Sequence, residues 1–467
     1  MKDFLAKYKP ELIIFFIAVI VRVIFFYIAL KEVNFQPADL RADGYYEIAD
    51  NLLKFGVFSR DVSGQLLPDS IRTPGLPALI YSSYRLFNTA LPFFFLQIIA
   101  SGLIPVLARR LALKSKLRPA LASLIASFLI FEPLGLSLTA KMLSEIFFTF
   151  FFLLSLLWLL NFLQIFFSGT NEKGREYWFL AASAVSAGVA ALIRPSIYLL
   201  PVFLIAAWLG AGALKKKLYL KPALLFFFFF YIIVLPWYVR NYRVFGNFSF
   251  TSVQDQVLFT ALSPSLVSLR DNVGYPEGQR RFFLQNGFDY FPEVYLDTAG
   301  WFRERSVPFI LGHPKELVKM SVISVITFFT HDGVLEFQGN MGWASSLRGM
   351  PHFLDLLFSP WSQKINLMIG ILKSPALAIV FMRAVWSVIF LSLVFSSIYL
   401  IKKKRLNPEL GLFLFICIYF SLTTISNGLA VNSRFRFPIN SLILIIALKG
   451  VSSWNRERGR KIIKEKI

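Results

Sequence analysis

Apolar residues along this chain gather into ten long runs, near 11–31, 91–108, 118–137, 142–167, 178–193, 197–213, 222–239, 378–401, 407–425 and 431–449. A helix rises about 1.5 Å per residue, so a run of roughly 20 residues crosses about 30 Å of hydrocarbon while satisfying its own backbone hydrogen bonds. The pattern predicts an all-α polytopic membrane protein with ten crossings, the whole chain 1–467 forming one integral-membrane domain. Polar residues fill short connections except in two long intervals, 32–90 and 240–377. In the first, Ile48, Leu52 and Phe55 recur at helical spacing beside Glu47 and Asp50, which predicts a short amphipathic helix from about Gly44 to Phe55. In the second, residues 314–330 predict another interfacial helix starting near Pro314, with Leu317, Met320, Val322 and Ile323 toward lipid and Lys315, Glu316 and Lys319 toward headgroups or solvent. Read instead as a crossing, and paired with 365–377, that segment raises the count to twelve.

Composition agrees with a bilayer. The 467 residues are 56% hydrophobic and include 52 Phe, and the mean hydropathy is +0.61, more apolar than a soluble core of this size needs. The formal charge of +22 does not imply nucleic acid, because much of the lysine and arginine lies in short loops between apolar runs. Those loops are Arg109-Arg110 through Arg118, Lys215-Lys216-Lys217 with Lys221, Lys402-Lys403-Lys404-Arg405, and the tail with Arg456, Arg458, Arg460 and Lys461. With a cytoplasmic N-terminus, ten crossings put all four on the cytoplasmic side, as the positive-inside rule requires. Both termini are then cytoplasmic, the membrane is a cell inner or plasma membrane, and both long intervals face the opposite compartment. The first run carries Arg22 and lacks a small-residue cleavage site, so it reads as a retained helix and not a signal peptide. The single Cys417 forms no internal disulfide, and His313, His331 and His352 have no metal-binding spacing.

Candidate chemistry sits at the non-cytoplasmic boundary. Asp43 lies just after the first run and has two readings: it caps the helix beginning at Gly44, or it removes or orients an acceptor's proton. Asp39, Glu47 and Asp50 are nearby alternatives, the last two fitting the wet face of the amphipathic helix. Glu145 precedes the intensely apolar 146–160 at the same boundary. It is either a helix-start carboxylate or part of a polar cavity beside Asp43, where it binds an acceptor, a cation or an arginine. Arg194, Arg240, Arg243, Arg434 and Arg436 map to that boundary too. Arginine's planar, always-charged fork suits a lipid phosphate, and each of these also suits snorkelling to headgroups. Arg434 and Arg436 are two residues apart and point in different directions on a regular helix. Arg60 and Arg72 add positive charge to the first interval without a specific motif.

In order, Ala42-Asp43-Gly44-Tyr45-Tyr46-Glu47-Ile48-Ala49, Gly56-Val57-Phe58-Ser59, Arg72-Thr73-Pro74-Gly75-Leu76-Pro77, Leu143-Ser144-Glu145, Arg194-Pro195, the Pro236 to Gly246 phrase and Arg434-Phe435-Arg436-Phe437-Pro438 carry a resemblance. The chain resembles the integral-membrane glycosyltransferases of the dolichyl-phosphate-mannose-protein mannosyltransferase and lipid A aminoarabinose transferase superfamily (GT-C, glycosyltransferase family 39-like). The resemblance implies a GT-C-type helical membrane domain with extracytoplasmic amphipathic helices and a polyprenyl-phosphate-linked sugar donor. The acceptor it implies is a lipid, glycan or protein, reached in a single inverting displacement. Asp43 is then the catalytic acid/base position, Glu145 an acceptor-binding or metal-assisting group, and Arg194, Arg240, Arg243, Arg434 and Arg436 the lipid-phosphate ligands. A divalent cation is compatible with this chemistry, although no metal cage is visible. The acidic pair usual in the family's second loop is not evident. The competing reading is a transporter or flippase for a polyprenyl-linked glycan, with the same charges lining a path.

Overall fold

The structure is a computed structural model that describes residues 2–62, 64–168, 174–206, 220–340, 359–372 and 377–465. Among these, eight helices are long and apolar enough to cross a membrane: Tyr8–Glu32, Leu91–Lys114, Glu145–Phe167, Arg175–Ile193, Leu220–Phe245, Leu377–Lys402, Pro408–Ala430 and Ser433–Arg458. A ninth is broken into Pro119–Phe131 and Pro133–Thr139, bent by 53°. The remaining expected run begins as the shorter apolar helix Pro195–Ala206. Its continuation, the Lys215-Lys216-Lys217 loop, His352 and part of 365–377 fall outside the described residues. The chain is thus a helical, integral membrane protein, as its periodicity predicts.

The bend has an identifiable cause. Pro133 has no N–H to continue the ladder, so the last carbonyls of Pro119–Phe131 are left open, and Arg22 fills them. It donates to Leu129 O at 3.3 Å and Ile130 O at 3.5 Å while its Nε meets Ser101 Oγ at 2.5 Å. Arg22, in the middle of the first apolar run, is therefore a buried bracket between three helices. Close packing elsewhere rests on small side chains, as in other membrane helix pairs. Ser155 and Ser183 exchange hydrogen bonds at 2.8 and 2.9 Å between Glu145–Ser168 and Arg175–Ile193. A Cβ on Gly188 would stand 2.8 Å from that of Ile233 on the next helix, so only glycine allows that approach.

The first long interval forms the amphipathic helix Tyr45–Phe55, an antiparallel hairpin of Ser59–Val62 and Gln65–Pro68, and the helix Gly75–Phe87. The hairpin is absent from the sequence expectation, since neither four-residue strand alternates cleanly. The inward face of Tyr45–Phe55 is Ile48, Ala49 and Asn51, and Phe55 is exposed, so the stripe turns slightly from the predicted one. The described part of the second interval includes short helices around Phe259, which packs against Phe282, Phe283 and Phe302. Its helix Pro314–Thr330 buries Met320 against Leu262, Leu266 and Ile310. Val318, Val322 and Ile326 are the exposed stripe. Met320 was expected to face lipid; the competing attraction is this protein-side apolar cluster.

The two intervals are bonded to each other. Ser70 Oγ contacts Ser252 Oγ at 3.0 Å, Thr251 Oγ1 donates to Ile71 O at 2.8 Å, and Arg60 pairs with both Glu47 and Glu293. These bonds hold the segment that follows Asp43 against the second interval.

Candidate active site

Asp43 (φ 53°) and Gly44 (φ 73°) are consecutive left-handed residues that turn the chain into the helix Tyr45–Phe55. Aspartate tolerates this region better than most side chains and glycine adopts it freely. A Cβ on Gly44 would meet Arg60 Nε at 3.1 Å. Gly44 occupies the N-cap position and no side chain bonds the first-turn N–H groups, so the capping reading of Asp43 fails. Its Oδ2 instead accepts from Arg434 Nη2 at 2.5 Å. A bond between two charged groups outweighs a cap to a neutral amide. The Asp43 carbonyl accepts from Arg72 Nε at 2.7 Å, and Arg72 Nη1 reaches Asp69 Oδ2 at 3.0 Å.

Glu145 is brought to Asp43 by a backbone splice. Arg41 and Met142 form a parallel bridge, and Met142 N donates to Leu40 O at 3.0 Å. The carboxylate that opens the helix Glu145–Ser168 is fully buried. Its Oε1 accepts from Arg434 Nε and from Arg194 Nη1, each at 2.7 Å, while its Oε2 has no hydrogen bond among the described residues. Removing a carboxylate from water costs several kcal/mol unless it is well paired, and two arginines supply that pairing. Arg194 reaches it because Pro195 drives the preceding residue out of helical geometry, to φ −148° and ψ 127°. Arg434 reaches it from a single turn, Ser433–Arg436, capped by Asn432. Burial pushes the Tyr45 hydroxyl above its ordinary range, against the pull of Arg194. It therefore stays neutral, 3.4 Å from Ser144 Oγ.

These groups border a cavity of about 500 Å³. Its lining includes the charged Asp43, Arg72, Arg194 and Arg434, the polar Tyr45, Gln254, Thr423, Ser426 and Asn427, and the apolar Leu199, Val253, Val257, Phe420 and Leu422. Glu145 is not part of the lining; it stands behind Arg434 and Arg194 and fixes both.

The other expected phosphate ligands lie elsewhere. Arg240 donates to Asp69 O at 2.7 Å and Phe58 O at 3.1 Å, with Phe58 and Trp237 rings against its guanidinium at 5.2 and 4.8 Å. It ties the hairpin to the helix Leu220–Phe245. Arg243 is exposed beside it, along a separate groove of about 650 Å³ on that helix. Arg436 is fully buried: it donates to Phe328 O, Phe329 O, His331 O and Asn440 Oδ1 and stacks 3.6 Å over Trp386. The two-residue spacing sends Arg434 to the cavity and Arg436 into the protein. Among the alternatives to Asp43, Glu47 pairs with Arg60 and Asp50 with Lys54.

The carboxylates do not suit a divalent cation. Asp43 and Glu145 both face Arg434, whose positive charge fills the place between them that a cation would take. Among the described residues no group of three or more His, Cys, Asp or Glu converges on a metal position.

Residues 78–251 match the family model described as dolichyl-phosphate-mannose-protein mannosyltransferase. The chain's resemblance is to that family. The matched stretch contains Glu145, Arg194, Arg240 and Arg243, while Asp43, Arg434 and Arg436 lie outside it. No curated protein sequence matches the chain. Among solved structures, the archaeal oligosaccharyltransferase AglB from Archaeoglobus fulgidus, in complex with an inhibitory peptide and a dolichol-phosphate, aligns with a TM-score of 0.44 at 14% identity. The apo crystal structure of the Archaeoglobus fulgidus oligosaccharyltransferase aligns at 0.47 and 13%. Each alignment covers 96% of this chain and 52% of the other, so the chain spans about half the length of these proteins.

Two cavity residues went without a role in the sequence. Arg72 was noted as charge and as part of a motif and Tyr45 only as part of a motif, while Asp69, which pairs with Arg72 without lining the cavity, was not noted at all. The one available signal was the three-residue spacing of Asp69 and Arg72, which places the carboxylate beneath the guanidinium.

Proposed function

We propose that this protein transfers a sugar from a polyprenyl-phosphate donor to a lipid, glycan or protein acceptor at the non-cytoplasmic face of a cell inner or plasma membrane, both termini being cytoplasmic. The observation that carries the reading is Arg434, held between Asp43 and Glu145 at the wall of a cavity lined by both polar and apolar residues. The match of residues 78–251 supports the reaction class.

Asp43 Oδ2 is committed to Arg434, and Oδ1 has no hydrogen bond among the described residues. That oxygen accepts the proton of an acceptor hydroxyl as the hydroxyl oxygen attacks the anomeric carbon. The bond from that carbon to the phosphate oxygen breaks, and its electron pair leaves with the phosphate. One displacement inverts the anomeric configuration. Arg72, Arg194 and Arg434 offer fixed cationic donors to the charge that grows on the leaving phosphate. Arg434 is shared, so an incoming phosphate competes with Asp43 for the same guanidinium. No step needs a metal.

The test uses purified protein in proteoliposomes with a panel of radiolabelled polyprenyl-phosphate sugars and acceptors. Glycosylated acceptor and free lipid phosphate in equal amounts, with inverted anomeric configuration, support the proposal. Movement of intact donor across the bilayer without cleavage overturns it in favour of a transporter.

A further inference from the structure

The turn that presents Asp43 is held from outside the helix it starts. A left-handed aspartate persists only where its surroundings over-determine it, and Gly44 gives the helix Tyr45–Phe55 no side-chain cap. Arg72 grips the Asp43 carbonyl. Arg60 takes the other contact: its Nε lies 3.1 Å from where a Cβ on Gly44 would stand, and it reaches Glu47 Oε2, in the first turn of that helix, at 3.3 Å. Glu47 is steadied in turn, because its Oε1 accepts from Asp61 N at 2.8 Å.

Arg60 has a second carboxylate partner, Glu293, contributed by the second interval. Glu293 is itself fixed. Tyr295 donates to its Oε2 at 2.6 Å. The buried Gln256 brackets its backbone, donating to Pro292 O at 3.0 Å and accepting from Val294 N at 2.6 Å. Gln256 belongs to the short helix Val253–Val257, which puts Val253, Gln254 and Val257 on the cavity wall. A continuous set of contacts thus runs from that wall through Glu293 and Arg60 to the Asp43 turn, and Arg60 itself does not border the cavity.

We infer that Arg60, clamped by Glu293, is a positioning residue: it sets the Asp43 turn against the Val253–Val257 wall, so that the second interval fixes the geometry of the base. This rests on the glycosyl-transfer reading for the role of Asp43 and adds the residues that place it. The Arg60 and Glu293 side chains are 17% and 23% exposed, so water screens their pairing less than that of Asp50 and Lys54 on the same helix, where the lysine is 60% exposed. The exposed pair is therefore the natural control.

The experiment measures transfer by wild type, Arg60→Gln, Glu293→Gln, Lys54→Gln and the exchanged pair Arg60→Glu with Glu293→Arg, which keeps one arginine between two carboxylates. Misplacing a reacting group by about 1 Å costs up to about a hundredfold in rate. Arg60→Gln and Glu293→Gln are therefore expected to lose about ten- to a hundredfold in kcat with donor KM within about twofold. Lys54→Gln should match wild type, and the exchanged pair should recover most of the loss. A loss that only tracks the folded fraction, a rise in donor KM alone, or no recovery in folded exchanged protein overturns the inference. Amide hydrogen exchange keeps the test independent of turnover. Glu293→Gln, a change in the second interval, should speed exchange at residues 44–48 in the first, while Lys54→Gln leaves it as in wild type. Unchanged exchange there overturns the coupling. Faster exchange in a protein that transfers no sugar leaves the coupling standing while the reaction reading falls.

Discussion

Arg434 donates from Nη2 to Asp43 Oδ2 at 2.5 Å, joining residues 391 positions apart in the chain. The same guanidinium turns its Nε to Glu145. One side chain from the last span thus registers the first interval against the helix Glu145–Ser168. The first predictions follow from what each partner loses when another is removed.

Glu145→Ala leaves two arginines facing each other with no buried counter-charge. Breaking one member of such a network costs about 3–5 kcal/mol. Thermal unfolding in detergent is expected at a clearly lower temperature, with transfer activity falling in the same samples. Glu145→Gln retains one acceptor and should lose less stability than Ala while still weakening the hold on Arg434. Equal stability of all three proteins contradicts the bracket.

Arg436→Gln is expected to damage folding and not substrate affinity. The guanidinium is fully buried, its hydrogen bonds go to carbonyls and Asn440, and Trp386 covers its face. The surviving folded fraction should keep the wild-type KM for donor, whereas Arg434→Gln should raise that KM or lower kcat without a comparable loss of yield. A raised donor KM in Arg436→Gln would place it in the phosphate site.

His331 provides a pH-dependent signature. Burial, with Arg383 and Arg436 nearby, lowers its pKa to about 4 despite the opposing pull of Asp332. Its folded value is depressed below the ordinary 6.5, so the neutral form is favoured in the native state. The contribution is fully present above pH 6.5 and is lost as pH falls toward 4. Melting temperature should drop across that interval, and His331→Asn should drop less over the same interval. Parallel pH profiles would exclude His331 as the cause.

Much of this arrangement is legible before any coordinates. Long apolar periodicity reports helices that hydrogen-bond internally, so the spans follow from local sequence alone. Asp43, Glu145, Arg194 and Arg434 were marked because a charge at a lipid boundary needs a partner, and the structure brings these four together. What was not legible depends on partners distant in the chain. Arg240 and Arg436 look the same as Arg434 in sequence, and only the carbonyls left open by hairpin and loop decide that they are brackets. The capping role offered to Asp43 failed for the same reason: a guanidinium 391 residues away outcompetes a local amide. The hairpin escaped notice because its strands are four residues long and are held by contacts to Asn51 and Arg240 more than by their own pattern.

The central claim is that the Asp43 carboxylate handles the acceptor proton. Asparagine keeps the size of the side chain and tolerates the left-handed backbone at this position, so Asp43→Asn removes charge without forcing the turn to change. The decisive measurement is the parallel rate of glycosylated product and released lipid phosphate from purified wild type and Asp43→Asn, with folding matched by thermal unfolding. The account predicts that both products form together in wild type and fall about 10²- to 10⁴-fold in the variant. Full activity in well-folded Asp43→Asn would contradict it.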